Sequence, residues 1–429
     1  MAAATIPLTL PQAAPLSPSQ LTLIKATVPV LQAHGEAITT TMYTNLITAH
    51  PSMKNIFSHT SQLTGAQPRA LARAVLAYAS YIDNLPALTH AVERIAQKHA
   101  SLYIQPEQYD VVGEQLIGAI GQVLGDAATP EIVDAWTAAY GVLASVFVSR
   151  EKQLYEADGE WGKGWRQFRI VRRASEVEKD QEAGSIVSFY LEPVDGKVPL
   201  PAFLPGQYVS VQIAAPQLGH LQSRQYSLSS WTSDEKARTQ YRISVKKEHD
   251  DAAGVDGLVS NLLHESYKEG DVVELSHPHG EFHLNPKNVS KEGVPAVLIS
   301  AGVGATPMMA IFHALADAGA VQRPVSWIHT SRSKATQPFA EEVVALAESI
   351  KDRAAVHVHL REGVGSEGKP RLDIAALDHE KTLFVKDGRA EYFICGPEQF
   401  MLDIRGKLAD LGVDKSRVLM ELFATGDVE

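Results

Sequence analysis

The stretch VPAVLISAGVGATPM, residues 294–308, decides the fold of its part of the chain. Val294 to Ala301 is a short apolar run, Gly302-Val303-Gly304 is a turn, and Ala305-Thr306-Pro307 opens a helical segment. An apolar strand that feeds a helix through a glycine turn is the repeating unit of a parallel sheet covered by helices. The runs PVSWIHTSR (324–332), AAVHVHL (354–360) and AEYFICGPEQF (390–400) read as further buried strands alternating with helical stretches. Residues 293–429 are therefore expected to form an α/β parallel-sheet domain. Gly302 and Gly304 would let backbone approach a pyrophosphate, and the following helix would present unpaired N–H groups to it. Thr306-Pro307 stands where the third glycine of the dinucleotide fingerprint would be, so a simple turn remains open. The CGP turn at 395–397 has the same form, and Cys395 there is equally readable as core.

Upstream the pattern changes twice. RQFRIVRRAS, SIVSFYLEPVDG, GQYVSVQIAAP, RQYSLSSW and YRISVKKE are short runs rich in Val, Ile, Tyr and Phe, separated by turn residues, and predict a small antiparallel barrel or sandwich over 162–288. Before the glycine- and tryptophan-rich break DGEWGKGW (158–165), residues 17–157 read as helical throughout. Ser17-Pro18 with Gln20 forms a capping box with proline at the first helical position, Thr129-Pro130 starts another helix in the same way, and Pro106 opens a third. Residues 1–16 read as a disordered lead-in without the charge of a targeting segment.

Composition narrows the function classes. Of 429 residues, 45% are hydrophobic and 21% charged, with a formal net charge of −11, which argues against a nucleic-acid partner. The single cysteine excludes an internal disulfide framework and thiolate-held zinc or iron–sulfur centres. No apolar run is expected to span a bilayer, and a cytoplasmic protein is the expectation.

ERIAQKHASLYI (93–104) poses the chemical question. Ile95, His99 and Leu102 share one helical face, and that face should be buried. His99 is then either a hydrogen-bonded core imidazole or a metal ligand.

The set PGQYVSV (205–211), RQYSLSS (224–230), GLVSNLLH (257–264), GDVVELSHPHGEF (270–282), AGVGATPM (301–308) and CGP (395–397) resembles the ferredoxin–NADP⁺ reductase superfamily in order and spacing. The resemblance implies FAD held by Tyr208, Arg224, Gln225, Tyr226 and Ser227. Arg224 would pair with the pyrophosphate, Tyr226 would stack on the isoalloxazine, Ser227 would bond near its N5, and Tyr208 would pack on the flavin. It also implies NAD(P)H at Gly302, Val303, Gly304, Ala305, Thr306 and Pro307, with Phe423 covering the flavin. Phe423-Ala424-Thr425 replaces the family's Phe-Gly-Pro ending. In HTSR (329–332), Ser331 and Arg332 either take a ribose 2′-phosphate or form a solvated loop.

The helical segment resembles a globin, specifically that of the flavohaemoglobins, through TTTMYTNL (39–46), IF (56–57), AQPRALARA (66–74), AQKHAS (96–101), PEQY (106–109) and SREKQLY (149–155). The resemblance implies haem b with His99 as the proximal iron ligand, and with Glu151 and Tyr109 holding the imidazole. On the distal side it implies Tyr43 and Gln67 at the O2 site, with Leu71 and Phe57 shaping the pocket. Lys98 and Glu421 would tune contact between the haem and flavin domains.

Together these expectations describe a monomer with an all-α globin, an antiparallel FAD barrel and an α/β NAD(P) domain, acting on NO and O2, with a lipid as a possible distal ligand. The implied activity is nitric oxide dioxygenation with electrons passing from NAD(P)H to FAD to haem. The rival readings are hydroperoxide reduction, oxidase activity, and an O2 or NO sensor reset by its reductase.

Overall fold

The structure is a computed structural model that describes residues 14–177, 184–250, 254–361 and 371–423. Most of the expected lead-in, residues 1–13, lies outside these, as do Ala424 and Thr425.

The first domain is helical: α1 Pro18–Ala26, α2 Val28–Ala49, α3 His59–Leu63, α4 Ala66–Ser80, α5 Thr89–Ala100, α6 Pro106–Leu124 and α7 Pro130–Ala157. Ser17 Oγ accepts from Gln20 N and the Gln20 side chain answers the cap, so the Ser17 box forms as its residues dictate. Thr129 caps α7 through Ile132 N. Ile24, Ile38, Met42, Leu46, Tyr78 and Trp136 make the main core. A second cluster of Ala96, Ala100, Phe147 and Leu154 ties α5 to α7.

One expectation is corrected here. α5 ends at Ala100, so Leu102 lies in the turn beyond the helix that carries His99, while Ile104 after it is buried as expected. Tyr103 then takes a left-handed backbone (φ 54°) that reverses the chain toward α6. Its ring stacks on Tyr155 and abuts Trp165, contacts that hold this unfavourable conformation in place. α7 is long and apolar enough by length and composition alone to cross a bilayer, a property that core helices of folded domains share. Its apolar side packs Trp136, Ala139, Phe147 and Leu154 into the helical domain, and buried Glu151 interrupts it.

The second domain contains β1 Arg166–Ser175, β2 Ile186–Pro193, β3 Tyr208–Ala215, β4 His220–Ser227, β5 Tyr241–Lys246, the short pair β6 His249–Asp250 and β7 Val255–Asp256, α8 Leu258–Glu265 and β8 Val272–Leu275. The six-stranded antiparallel sheet runs β4-β3-β8-β1-β2-β5. A bridge between Leu228 and Ile243 joins its two outer strands and curls the sheet over a core of Phe168, Phe189, Val209, Val211 and Tyr241.

The third domain comprises β9 Ala296–Ala301, α9 Ala305–Ala316, β10 Val325–Ser331, α10 Ala340–Ser349, β11 Ala354–Leu360, β12 Glu391–Cys395, α11 Glu398–Asp410 and β13 Val418–Glu421. All strands are parallel in the order β11-β10-β9-β12-β13. The order reverses between β9 and β12, which is where open sheets of this kind bind ligands beyond their strand ends. AAVHVHL, expected to be buried, is the edge strand β11 and is only half-buried, because it has one strand neighbour. β13 has no counterpart among the sequence expectations, since VLME is too short to show a period.

Candidate functional site

Glu151 sits on α7 at 2% exposure, and a carboxylate so buried must be paired. Its partners come from α5 and α6. His99 Nδ1 lies 2.9 Å from Glu151 Oε1 and 2.7 Å from the Tyr109 hydroxyl. The Tyr109 hydroxyl donates to the same carboxylate oxygen at 2.5 Å. Burial, reinforced by the Glu151 charge, holds the Tyr109 phenol far above its ordinary pKa, so it remains a donor. The Tyr140 hydroxyl donates to the Tyr109 carbonyl at 2.6 Å, and the Phe147 ring lies 5.6 Å from the His99 ring. The imidazole is thereby oriented through Nδ1, while Nε2 makes no hydrogen bond among the described residues. An imidazole with one ring nitrogen anchored and the other available fits the role of a ligand to a haem iron.

Tyr43 is on α2 at 5% exposure and accepts a hydrogen bond from Gln67 Nε2, on α4, at 3.2 Å. Burial pushes the phenol up to about 12, although the Gln67 bond lowers it. Thr39 Oγ1 donates to Pro68 O at 2.8 Å and fixes the two helices beside this pair. Phe57 meets the Tyr43 ring edge-on at 5.1 Å, and Leu71 packs half-buried on the same core.

In the second domain, Tyr208 pairs with Ser227, Val209 with Tyr226, Ser210 with Gln225 and Val211 with Arg224. Arg224 and Tyr226 therefore share one face of β4, and Gln225 and Ser227 the other. Arg224, Gln225 and Tyr226 are half-buried, Ser227 and Tyr208 buried, and Phe423 is 48% exposed. Gly280, which the sequence reading did not single out, lies beneath Tyr208: a Cβ there would meet the ring at 3.0 Å. Its φ of +122° adds a second reason for glycine.

Two glycine turns abut at the sheet's reversal point. A Cβ on Gly304 would fall 2.3 Å from the Cys395 carbonyl oxygen, whereas one on Gly302 (φ +56°) would meet nothing within 4 Å. The first turn is therefore packed on one side and open on the other, the cradle a pyrophosphate requires. Val303 and Ala305 complete this turn, and Pro307 costs no hydrogen bond within the first turn of α9. The Thr306 hydroxyl is used internally, donating to Val303 O at 2.9 Å. Ser331 and Arg332 are not brought together. Ser331 is buried with its hydroxyl 2.8 Å from His329 Nε2, while Arg332 is exposed. Ser300 holds the other His329 nitrogen at 2.8 Å, and burial lowers that imidazole to about 4.

Lys98 and Glu421 are both half-buried, and each charge is a minor influence on the other's titration. Burial raises the Glu421 carboxyl to about 8; the Glu281 charge adds to this, and Arg94 and Lys98 oppose it. Lys98 is lowered by burial first, then by Arg224 and Arg94, with Glu421 opposing. The residue beside His99 thus feels both the arginine of RQYS and the carboxylate at the end of β13.

The contacts that dock the His99 helix on the second domain were not foreseen. Gln97 Oε1 accepts from Gly280 N at 3.1 Å, and Ser210 Oγ donates to Ser101 Oγ at 2.8 Å. Gln225 Nε2 donates to Ser210 Oγ at 2.9 Å, which continues the path from α5 to RQYS. A second contact places Gln222 Oε1 at 2.9 Å from His59 N and Leu221 N at 2.9 Å from Asn55 Oδ1. Both Gln97 and Ser101 stand in ERIAQKHASLYI, but nothing local there names their partners.

Fold and site define a globin joined to a reductase with flavin and nicotinamide domains. The matching family models agree: globin over 40–147, oxidoreductase FAD-binding domain over 175–284 and oxidoreductase NAD-binding domain over 298–406. The flavohaemoprotein of Bordetella pertussis is 43% identical over 425 residues, covering 96% of this chain and all of its own. That of Deinococcus radiodurans is 43% identical over 411 residues, covering 95% and 97%. The crystal structure of Malassezia yamatoensis flavohaemoglobin with bound FAD and haem matches at TM-score 0.80 and 32% identity, covering 95% of this chain and 100% of that one. The chain belongs to the flavohaemoprotein family, an oxidoreductase family whose cofactors are haem, FAD and a nicotinamide dinucleotide.

Proposed function

We propose that this flavohaemoprotein is a nitric oxide dioxygenase of the cytoplasm: 2 NO + 2 O2 + NAD(P)H give 2 nitrate, NAD(P)⁺ and H⁺. The observation that carries this reading is the His99–Tyr109–Glu151 network, on a helix docked to the flavin strands through Ser101 and Ser210. When bound, the three cofactors would supply hydride donation, division of the electron pair and O2 activation.

Glu151 and Tyr109 keep Nε2 of His99 free and enrich the imidazole in electron density, which suits O2 activation more than O2 storage. Tyr43, backed by Gln67, provides a buried hydroxyl for the O2 side of the pocket, and Leu71 and Phe57 exclude water there. Arg224 offers a fixed cation for the flavin pyrophosphate, Tyr226 a ring for its isoalloxazine, and Ser227 a hydroxyl near its N5. Gln225 steadies Ser210, and Tyr208 and Phe423 flank the flavin. The open turn 302–307 receives the dinucleotide, and exposed Arg332 can meet a 2′-phosphate without help from Ser331. Lys98 and Glu421 set the field between the haem and flavin sites.

The test is NAD(P)H consumption by purified protein with O2, with and without NO, alongside nitrate. The reading requires that NO accelerate consumption and yield one nitrate per NO; consumption indifferent to NO, with no nitrate, refutes it. A Soret band together with bound flavin in the same preparation establishes that both prosthetic groups were present.

A further inference from the structure

Asp158, the residue that ends α7, faces two histidines from the loop after β8. His277 Nδ1 lies 3.0 Å from Asp158 Oδ1, and His279 Nε2 lies 3.2 Å from Asp158 Oδ2. The three side chains are 8%, 15% and 2% exposed in the order Asp158, His277, His279. One donor atom from each falls within 4.8 Å of the others.

Two of these atoms are unsatisfied. Asp158 Oδ2 and His279 Nε2 are buried and face each other, yet neither has a partner with hydrogen-bond alignment. A buried carboxylate oxygen and ring nitrogen that meet at 3.2 Å without hydrogen-bond alignment are only partly satisfied, a cost that native interiors disfavour. A divalent cation shared by both atoms removes that cost. Bonds of about 2.0–2.1 Å in a tetrahedron place neighbouring donor atoms about 3.3 Å apart, close to the 3.0 and 3.2 Å at which the two histidines meet the two oxygens of Asp158.

The surroundings support ligation. His279 Nδ1 lies 3.3 Å from Gln97 Oε1, the acceptor on the far ring nitrogen that ligating histidines usually have. Mutual backbone hydrogen bonds between His279 and Tyr208 pin the loop, and His277 N donates to the Tyr103 hydroxyl at 3.3 Å. Two imidazoles and one carboxylate suit Zn²⁺ and are too nitrogen-rich for Ca²⁺ or Mg²⁺.

We propose that Asp158, His277 and His279 form a zinc site that clasps the globin domain to the flavin domain. Its ligands come from both sides of the domain junction, and it braces the loop whose Gly280 lies under Tyr208. It is separate from the haem, FAD and nicotinamide sites.

The experiment uses chelator-treated holoenzyme, incubated with Zn²⁺, desalted, and assayed for zinc per haem by mass spectrometry. Wild type should retain about one zinc per chain. Asp158→Asn and His279→Ala should lose it while keeping haem and FAD absorbance. His277→Gln, at the least buried ligand, serves the comparison if those variants fail to fold. Zn²⁺ should also raise the thermal midpoint of wild type, reversibly with EDTA, and leave the variants unmoved. Equal zinc retention in wild type and variants overturns the proposal. So does a wild type that retains none with haem and FAD intact, which would leave a hydrogen-bonded clasp only.

Discussion

Ser210 Oγ donates a 2.8 Å hydrogen bond to Ser101 Oγ, joining a flavin-domain strand to the helix end two residues past His99. Ser101 also donates to Lys98 O at 2.8 Å, so the contact is rigid on the globin side. Ser101→Ala should remove about 1 kcal/mol of docking and slow reduction of the haem by the flavin several-fold. Flavin-dependent reduction of an artificial acceptor should not change. Stopped-flow spectra at the Soret and flavin bands separate the two rates.

His99→Ala should abolish haem binding and leave the flavin activity. Glu151→Gln is the finer test. It keeps the size of the side chain but removes the charge that enriches His99, so the iron midpoint potential should rise and NO turnover fall by about 10–100-fold. Spectroelectrochemistry reads the potential, and an unchanged value removes Glu151 from the proximal push.

Tyr43→Phe removes the buried hydroxyl that Gln67 supports. O2 dissociation should accelerate about 10–100-fold, the range expected on losing a strong hydrogen bond, and NO turnover should drop. Flash photolysis measures the first directly.

Glu281 is held up to about 7 by burial, and its Oε2 is buried without a hydrogen-bond partner. A raised folded-state pKa means that the folded form binds the proton more tightly than the unfolded chain. The stability this contributes is complete below the ordinary glutamate range and is lost as pH rises through about 7. Glu281→Gln should therefore raise the thermal midpoint at pH 8 and make little difference below pH ~4.5.

Gly304→Ala places a methyl group against the Cys395 carbonyl, and backbone on one side must move. A displacement of this kind at a nucleotide turn should raise KM for NAD(P)H by roughly tenfold or more, with the haem spectrum intact.

Local chemistry explains what could be read in advance. The Ser17 and Thr129 caps, the alternation in the barrel strands and the β9 turn depend on residues two to four positions apart. So do the quoted motifs, and both the architecture and the family followed from them. Failures came where neighbours in space are distant in sequence. The half-burial of β11 depends on its place at the sheet edge, and the loss of Leu102 from the His99 helix face on where α5 stops. Ser331, the last residue of β10, meets His329 two positions earlier on the same strand face, whereas Arg332 lies beyond the strand end and is exposed.

The sequence by itself determined three domains in order, the residues able to serve haem, flavin and nicotinamide, and the helix caps and turns that start each element. Only the tertiary structure decided which groups meet across domains: Ser101 with Ser210, 109 residues apart, Gln97 with Gly280, and Asp158 with His277 and His279. Periodicity reports which face of an element is apolar. It carries no information about which distant polar group will satisfy a buried one, because that pairing is settled when the domains pack.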